Sequence, residues 1–446
     1  MKYYSTGHKA PYASLEKAII KGLAEDKGLY MPECIKPLPT TFFEEIENYS
    51  FQEIALKVAE SFFGDDIEDN ELKKITYDTL NFDCPTVAVE ENIFALELFH
   101  GPTLAFKDVG ARFMARALQY FINKKQQTDS QKARGMNVLV ATSGDTGSAV
   151  ANGFLGVEGI HVFVLYPKGK VSNIQESQFT TLGKNITALE VDGTFDDCQR
   201  LVKEAFMDKD LNESIRITSA NSINVARFLP QAFYYFYAYA QLKKQAKYRD
   251  KLDNHLVFCT PSGNFGNITA GLFAKEMGLP VKRFIAANNA NDVVYQYLKS
   301  GIYHPQPSIP TLANAMDVGD PSNFARISEL YHNSWEVICT QLQGVTYNDD
   351  RIKKIMQHCY KENGYILDPH GACAYQGLKD CLANEEVGVF LETAHPAKFK
   401  EKVEDILDIE LNIPARLLKF MEGEKQSIEI ENNYAGFKQL LLKRAL

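Results

Sequence analysis

Residues 255–277 read HLVFCTPSGNFGNITAGLFAKEM. Residues 255–260 are a short apolar run with the length of a buried strand, and residues 268–277 carry helical spacing. Between them stands Pro261-Ser262-Gly263-Asn264-Phe265-Gly266-Asn267. Two glycines three apart let the backbone turn tightly, so that several N–H groups can face one anion. The helix N-terminus adds about half a positive charge. The loop lacks the Gly-Lys-Ser/Thr ending of a nucleotide-binding P-loop. It suits a bound cofactor phosphate, although a plain strand-to-helix turn carries the same residues.

The same unit repeats on either side. Strands are expected at 137–141, 161–166, 186–191, 215–219 and 283–287, with helices to about 155, about 182 and at 195–206. Residues 223–245 read as one long helical stretch. Strands at 87–89 and 93–98 flank the turn Glu91-Asn92, a helix runs from Gly110 to about Ile122, and 123–134 is a polar loop. Near the C-terminus helices fall at 349–360, 371–382 and 397–407, a strand at 387–391, and a helix from Tyr434. This alternation predicts an α/β fold of parallel sheets covered by helices. Ligands of such sheets bind in loops at the carboxyl ends of the strands. Residues 1–90 read as an accessory N-terminal domain, with helices at 15–23, capped by Ser14, and 51–63. The expected partition is then 91–125 with 228–446 as a large domain and 126–227 as a small α/β domain.

Several loops carry chemistry. Residues 98–108 read LFHGPTLAFKD. Lys107 ends a Gly/Pro-punctuated apolar run, where burial would lower its pKa and make its amine nucleophilic, as a Schiff-base lysine requires. A surface lysine opening the next helix is the alternative. Thr142-Ser143-Gly144-Asp145-Thr146-Gly147 offers hydroxyls and early helix amides to a carboxylate, or simply caps its helix. Asn221-Ser222-Ile223-Asn224-Val225-Ala226-Arg227 brings Ser222 and Arg227 a little over one turn apart, where they could converge on a phosphate. Pro167 to Ser172 is a second basic turn. In Glu392-Thr393-Ala394-His395 the Thr393 hydroxyl is a neutral partner for a pyridine nitrogen. A neutral partner leaves that nitrogen a weaker electron sink than a carboxylate would. Together these are the parts of a pyridoxal phosphate site.

Composition sets limits. The chain has 446 residues, 45% apolar and 24% charged, with a net charge of −9. A broad nucleic-acid-binding face is not expected of such a chain. The eight cysteines form no Cys-x-x-Cys pair and no His/Cys cluster at zinc spacing, so no metal site is expected. Free thiols and the lack of an apolar signal core predict a cytoplasmic protein. No apolar run of about 18 residues predicts a membrane span. Oligomeric state leaves no mark on the sequence.

Taken together, LFHGPTLAFKD, ATSGDTG, SANSINVAR, PSGNFGN and ETAHPAKF, in this order, resemble the threonine synthase family in its longer bacterial and fungal form. The opening 28 residues from Ser5 resemble its N-terminal domain. The resemblance implies a tryptophan-synthase-β-like fold (fold type II) and pyridoxal 5'-phosphate. It implies conversion of O-phospho-L-homoserine and water to L-threonine and phosphate. On that basis Lys107 carries the cofactor and moves protons. Gly263, Asn264, Phe265, Gly266 and Asn267 hold its phosphate, and Thr393 faces its ring nitrogen. Ser143 and Thr146 take the substrate carboxylate, and Ser222, Asn224 and Arg227 the substrate phosphate. A serine or threonine dehydratase would share Lys107 and the cradle but would not need the phosphate set. A catalytically silent sensor of a phosphorylated metabolite would be expected to lack Lys107.

Overall fold

The strands expected from continuous Val, Leu, Ile and Phe runs are buried on both faces, as parallel strands under helices must be. The computed structural model describes residues 1–128 and 135–446. Among the described residues the chain forms two compact units. One comprises Met1, 31–106 and 228–412; the other comprises 2–30, 107–227 and 413–446.

In the first unit a sheet has the strand order Leu342–Thr346, Val281–Asn288, Leu256–Pro261, Val387–Glu392, Ile93–Glu97, Thr86–Glu90. All neighbours are parallel except the last pair, a hairpin turning at Asn92 with φ 61°. The carboxyl ends of Leu256–Pro261, Val387–Glu392 and Ile93–Glu97 lie side by side, so the loops after them share one edge. The helix Phe51–Phe63 packs in this unit. It is closed by a capping box in which Ser50 Oγ accepts the Glu53 N–H at 3.3 Å and the Glu53 carboxylate accepts the Ser50 N–H at 2.8 Å.

The second unit is built on a parallel sheet ordered Ser427–Glu431, Ile186–Asp192, Ile160–Pro167, Met136–Ala141, Ile217–Ser219. Its core gathers Leu139, Phe163, Leu189 and Leu201 with Phe437 and Leu441 from the C-terminal helix.

Three expectations are corrected. Of the expected partition the boundary between 227 and 228 is observed, whereas the units otherwise divide at 106/107 and 412/413, and residues 1–90 are split between them. Residues 2–30 join the second unit because the helix Leu15–Lys21 packs on Ile217–Ser219, where Asn224 Nδ2 donates to Ile19 O at 2.8 Å. The tail joins it because Ser427–Glu431 adds a parallel edge strand. Second, the helix expected from Gly110 is Lys107–Thr128. Gly110 does not start it. Its bare Cα admits the Arg227 carbonyl, which would lie 2.2 Å from a Cβ there. Residues 123–128 are therefore helical, and the rest of the expected 123–134 loop lies outside the described residues. Third, the stretch 223–245 is broken into Val225–Phe228, a 3-10 turn Leu229–Ala232 and Phe233–Lys243. Pro230 removes a backbone donor at the break.

Candidate active site

The first unit supplies the cradle. The strand Leu256–Pro261 ends, Ser262 N–H bonds Ala287 O at 2.9 Å, and the helix Gly266–Glu276 begins after Phe265 in the left-handed conformation, φ 60°. The N–H groups of Gly263, Phe265, Gly266 and Asn267 have no hydrogen-bond partner among the described residues. Such donors at a helix start form an anion site. The side chains behind them are committed to the fold. Asn267 Nδ2 donates to Pro261 O at 2.9 Å, and Asn264 Oδ1 accepts the Ser322 N–H at 2.6 Å. Asn323 Nδ2, itself beside the buried Arg326, donates to Asn264 O at 3.0 Å. Gly263 must be glycine, because a Cβ there would lie 2.6 Å from Met316 Cα and 2.9 Å from Ala315 O.

On the neighbouring strand end, Thr393 is buried, and its hydroxyl has no partner among the described residues. Its carbonyl accepts the Phe106 N–H at 2.9 Å, and Ala105 and Ala394 form an antiparallel bridge. The loop before Lys107 is thus clamped to the loop holding Thr393. His395 N–H donates to Leu104 O at 3.1 Å, and the buried Lys398 Nζ donates to Thr103 O at 2.9 Å. These bonds hold Leu104 at φ 57°, a conformation that costs a non-glycine residue roughly 1–2 kcal/mol. His395 Nδ1 accepts the Ala397 N–H at 3.1 Å, and burial pulls its imidazole down to about 4.

In the second unit Lys107 is the first residue of its helix and is half-buried. Arg227 Nη1 donates to Lys107 O at 3.0 Å, and Arg227 Nε donates to Ala220 O at 2.7 Å. Burial lowers the Arg227 guanidinium to about 10, against the opposing pull of Asp108, so it remains a cation at neutral pH. The Thr142 to Gly147 loop is held from inside. Thr142 Oγ1 accepts the N–H groups of Gly144 and Gly147 at 2.9 and 2.8 Å. Buried Asp145 accepts from Gln175 Nε2 at 2.8 Å. The hydroxyls and N–H groups of Ser143 and Thr146 are left open among the described residues. Asn221 Nδ2 ties the other loop to Ala141 O at 3.2 Å, and Ser222 is half-buried beside it.

The expected phosphate set divides. Asn224 is fully buried; its amide donates to Ile19 O and Ser219 O and accepts the Ala226 N–H. Asn224 thus commits its amide to the fold, and Arg227 turns two donors onto the backbone. Sequence reading missed Asp368, His370 and the Glu392 carboxyl, although Asp368 before Pro369 is a readable helix cap.

The open cradle and the unpartnered Thr393 hydroxyl fit the phosphate and ring nitrogen of pyridoxal phosphate. Family models match accordingly. A model described as "Pyridoxal-phosphate dependent enzyme" matches residues 78–390. Threonine synthase N-terminal and C-terminal models match residues 2–80 and 371–441. The threonine synthase of Haemophilus influenzae is 45% identical over 99% of this chain and all of its own length. The chain belongs to the threonine synthase family. The crystal structure of threonine synthase from Escherichia coli superposes with a TM-score of 0.91 at 41% identity, covering 99% of this chain and 100% of that one. The pyridoxal-phosphate-bound threonine synthase of Brucella melitensis gives 0.90 at 32%, covering 100% and 99%. The family is pyridoxal-phosphate-dependent, and the expected fold type is the observed one. Among the described residues no helix is long and apolar enough to cross a membrane.

Proposed function

We propose that the protein converts O-phospho-L-homoserine and water to L-threonine and phosphate, in the cytoplasm, as the last step of threonine biosynthesis. The observation that carries this reading is the shared strand edge of the first unit. There four open N–H groups and the Thr393 hydroxyl stand beside the loop that leads to Lys107.

Pyridoxal phosphate, when bound, supplies the electron sink that makes the proton on the substrate α-carbon acidic. Gly263 to Asn267 would hold its phosphate through backbone N–H groups, Thr393 its ring nitrogen, and Lys107 its aldehyde carbon. Thr393 is uncharged, so it holds the ring nitrogen without supplying a proton to it. Once the substrate amine takes the place of Lys107, the freed Nζ removes the α-proton. Ser143 and Thr146 hold the substrate carboxylate by hydroxyl and N–H together. Ser222 binds the substrate phosphate, and Arg227 adds a buried positive charge behind the same turn. Overall, phosphate leaves Cγ, a proton is lost from Cβ and another gained at Cγ, and the hydroxyl of water ends on Cβ. Water must be kept from the site until phosphate has gone.

The test is incubation of the holoenzyme with O-phospho-L-homoserine, with released phosphate and amino-acid products both counted. Equal amounts of phosphate and threonine are expected. Phosphate without threonine, or turnover of threonine instead, would overturn the assignment.

A further inference from the structure

Two carboxyl groups lie buried together in the first unit and have no part in the mechanism above. Asp368 caps the helix Pro369–Cys381, and Glu392 ends the strand Val387–Glu392; both are 0% exposed. The Asp368 N–H donates to Glu392 Oε1 at 2.7 Å. Asp368 Oδ1 accepts the His370 N–H at 2.7 Å and also meets the His370 ring Nδ1. His370 Nε2 accepts the Ala315 N–H at 3.1 Å, which places the ring proton on Nδ1, pointing at Asp368. Asp368 Oδ2 and Glu392 Oε2 remain, buried and with no hydrogen-bond partner. The Glu392 carboxyl lies directly against Gly371. A Cβ on Gly371 would lie 1.5 Å from Glu392 Oε2.

An oxygen acceptor without a donor at this depth is costly, and two ionised carboxylates side by side cost more. One proton removes both penalties, because it turns one acid into the donor that the other lacks. We propose that Glu392 and Asp368 share a single proton, and that the chain Glu392–Asp368–His370–Ala315 is a positioning device joining the two ends of the cofactor site. Glu392 is followed directly by Thr393. At the other end, Ala315 O and Met316 Cα are the atoms pressed against Gly263 of the cradle. The proton ties the ring-nitrogen loop to the phosphate loop through three side chains. Burial, with Asp368 next, raises the Glu392 carboxyl well above the ordinary range. Other titratable groups that interact with the network include Glu97, Tyr365, Cys359, Cys373, His395 and Asp317, none of them a cation at neutral pH; the buried Lys398, which acts on His395, is turned onto Thr103 O at 2.9 Å.

The positioning role rests on the proposed parts of Thr393 and the cradle; the shared proton does not. The test therefore has two arms. Infrared spectra of the cofactor-free protein at neutral pH should show the carbonyl stretch of a buried protonated carboxylic acid. That band should vanish in Glu392→Gln and in Asp368→Asn, since either amide takes over the donor role. Its absence from the wild-type protein, or its survival in both variants, overturns the shared proton. In the second arm the affinity of each cofactor-free protein for pyridoxal phosphate is measured by fluorescence. Each single variant keeps one donor facing one acceptor and should bind within about threefold of wild type. The double variant sets two amides together with one donor too many, and its affinity should fall by about tenfold or more. Additive losses would overturn the positioning role, as would wild-type protein that binds no pyridoxal phosphate, which would also remove the reading of the site.

Discussion

Replacing Lys107 by Ala removes the only amine given a proton-transfer role at the α-carbon. Turnover should vanish while the fold and binding of the cofactor phosphate persist, which activity, circular dichroism and cofactor titration together would check. Gly263→Ala should weaken cofactor binding by at least about tenfold, because its methyl meets backbone at Met316 and Ala315 rather than a movable side chain. An equilibrium titration with pyridoxal phosphate reads this directly. His395 offers a pH test. Burial lowers its imidazole from 6.5 to about 4, so the unfolded chain binds the proton first. His395 therefore costs nothing above about pH 6.5 and destabilises the fold progressively as pH falls toward 4. Ring NMR shifts of His395 should move near pH 4; a midpoint near 6.5 would show the ring to be solvated. At this scale the sequence was informative about which residues carry open donors, as Ser143, Thr146 and Thr393 show. It could not tell which polar side chains turn inward. Asn224 and Arg227 sit in a polar motif like any ligand, and only the partners Ile19 O and Lys107 O, distant in sequence, reveal their use in the fold.

At the scale of elements, strand cores were legible because a strand buried on both faces is a continuous apolar run, as in Leu256–Pro261 and Val387–Glu392. Helix starts were less so. Gly110 looked like a boundary and is instead a point of close approach, and Pro230 divides what looks like one helix. Asn224 is the peg between elements, since its amide joins the helix Leu15–Lys21 to the strand end at Ser219. Asn224→Ala leaves two buried carbonyls short of donors and should cost about 1–3 kcal/mol, measured by urea unfolding. A loss confined to activity, with stability unchanged, would instead make Asn224 a ligand.

Across the whole molecule, chain order and spatial order part company. Residues 2–30 and 413–446, the two ends of the chain, both belong with 107–227. No local pattern announces this. The edge strand Ser427–Glu431 is half polar, and its partner Ile186–Asp192 lies more than two hundred residues earlier. The tail closes the second core through Phe437 and Leu441. Phe437→Ala should therefore destabilise that unit by about 3–5 kcal/mol, seen as an earlier unfolding transition in denaturant. In the proposed reaction one lysine, Lys107, which follows the clamped loop 98–106, holds the cofactor. Borohydride reduction of the protein loaded with pyridoxal phosphate, followed by peptide mapping, checks this. A yellow protein whose colour is lost on reduction, with the label on Lys107, is the predicted result. A protein that stays colourless with added cofactor, or a label on another lysine, would contradict it.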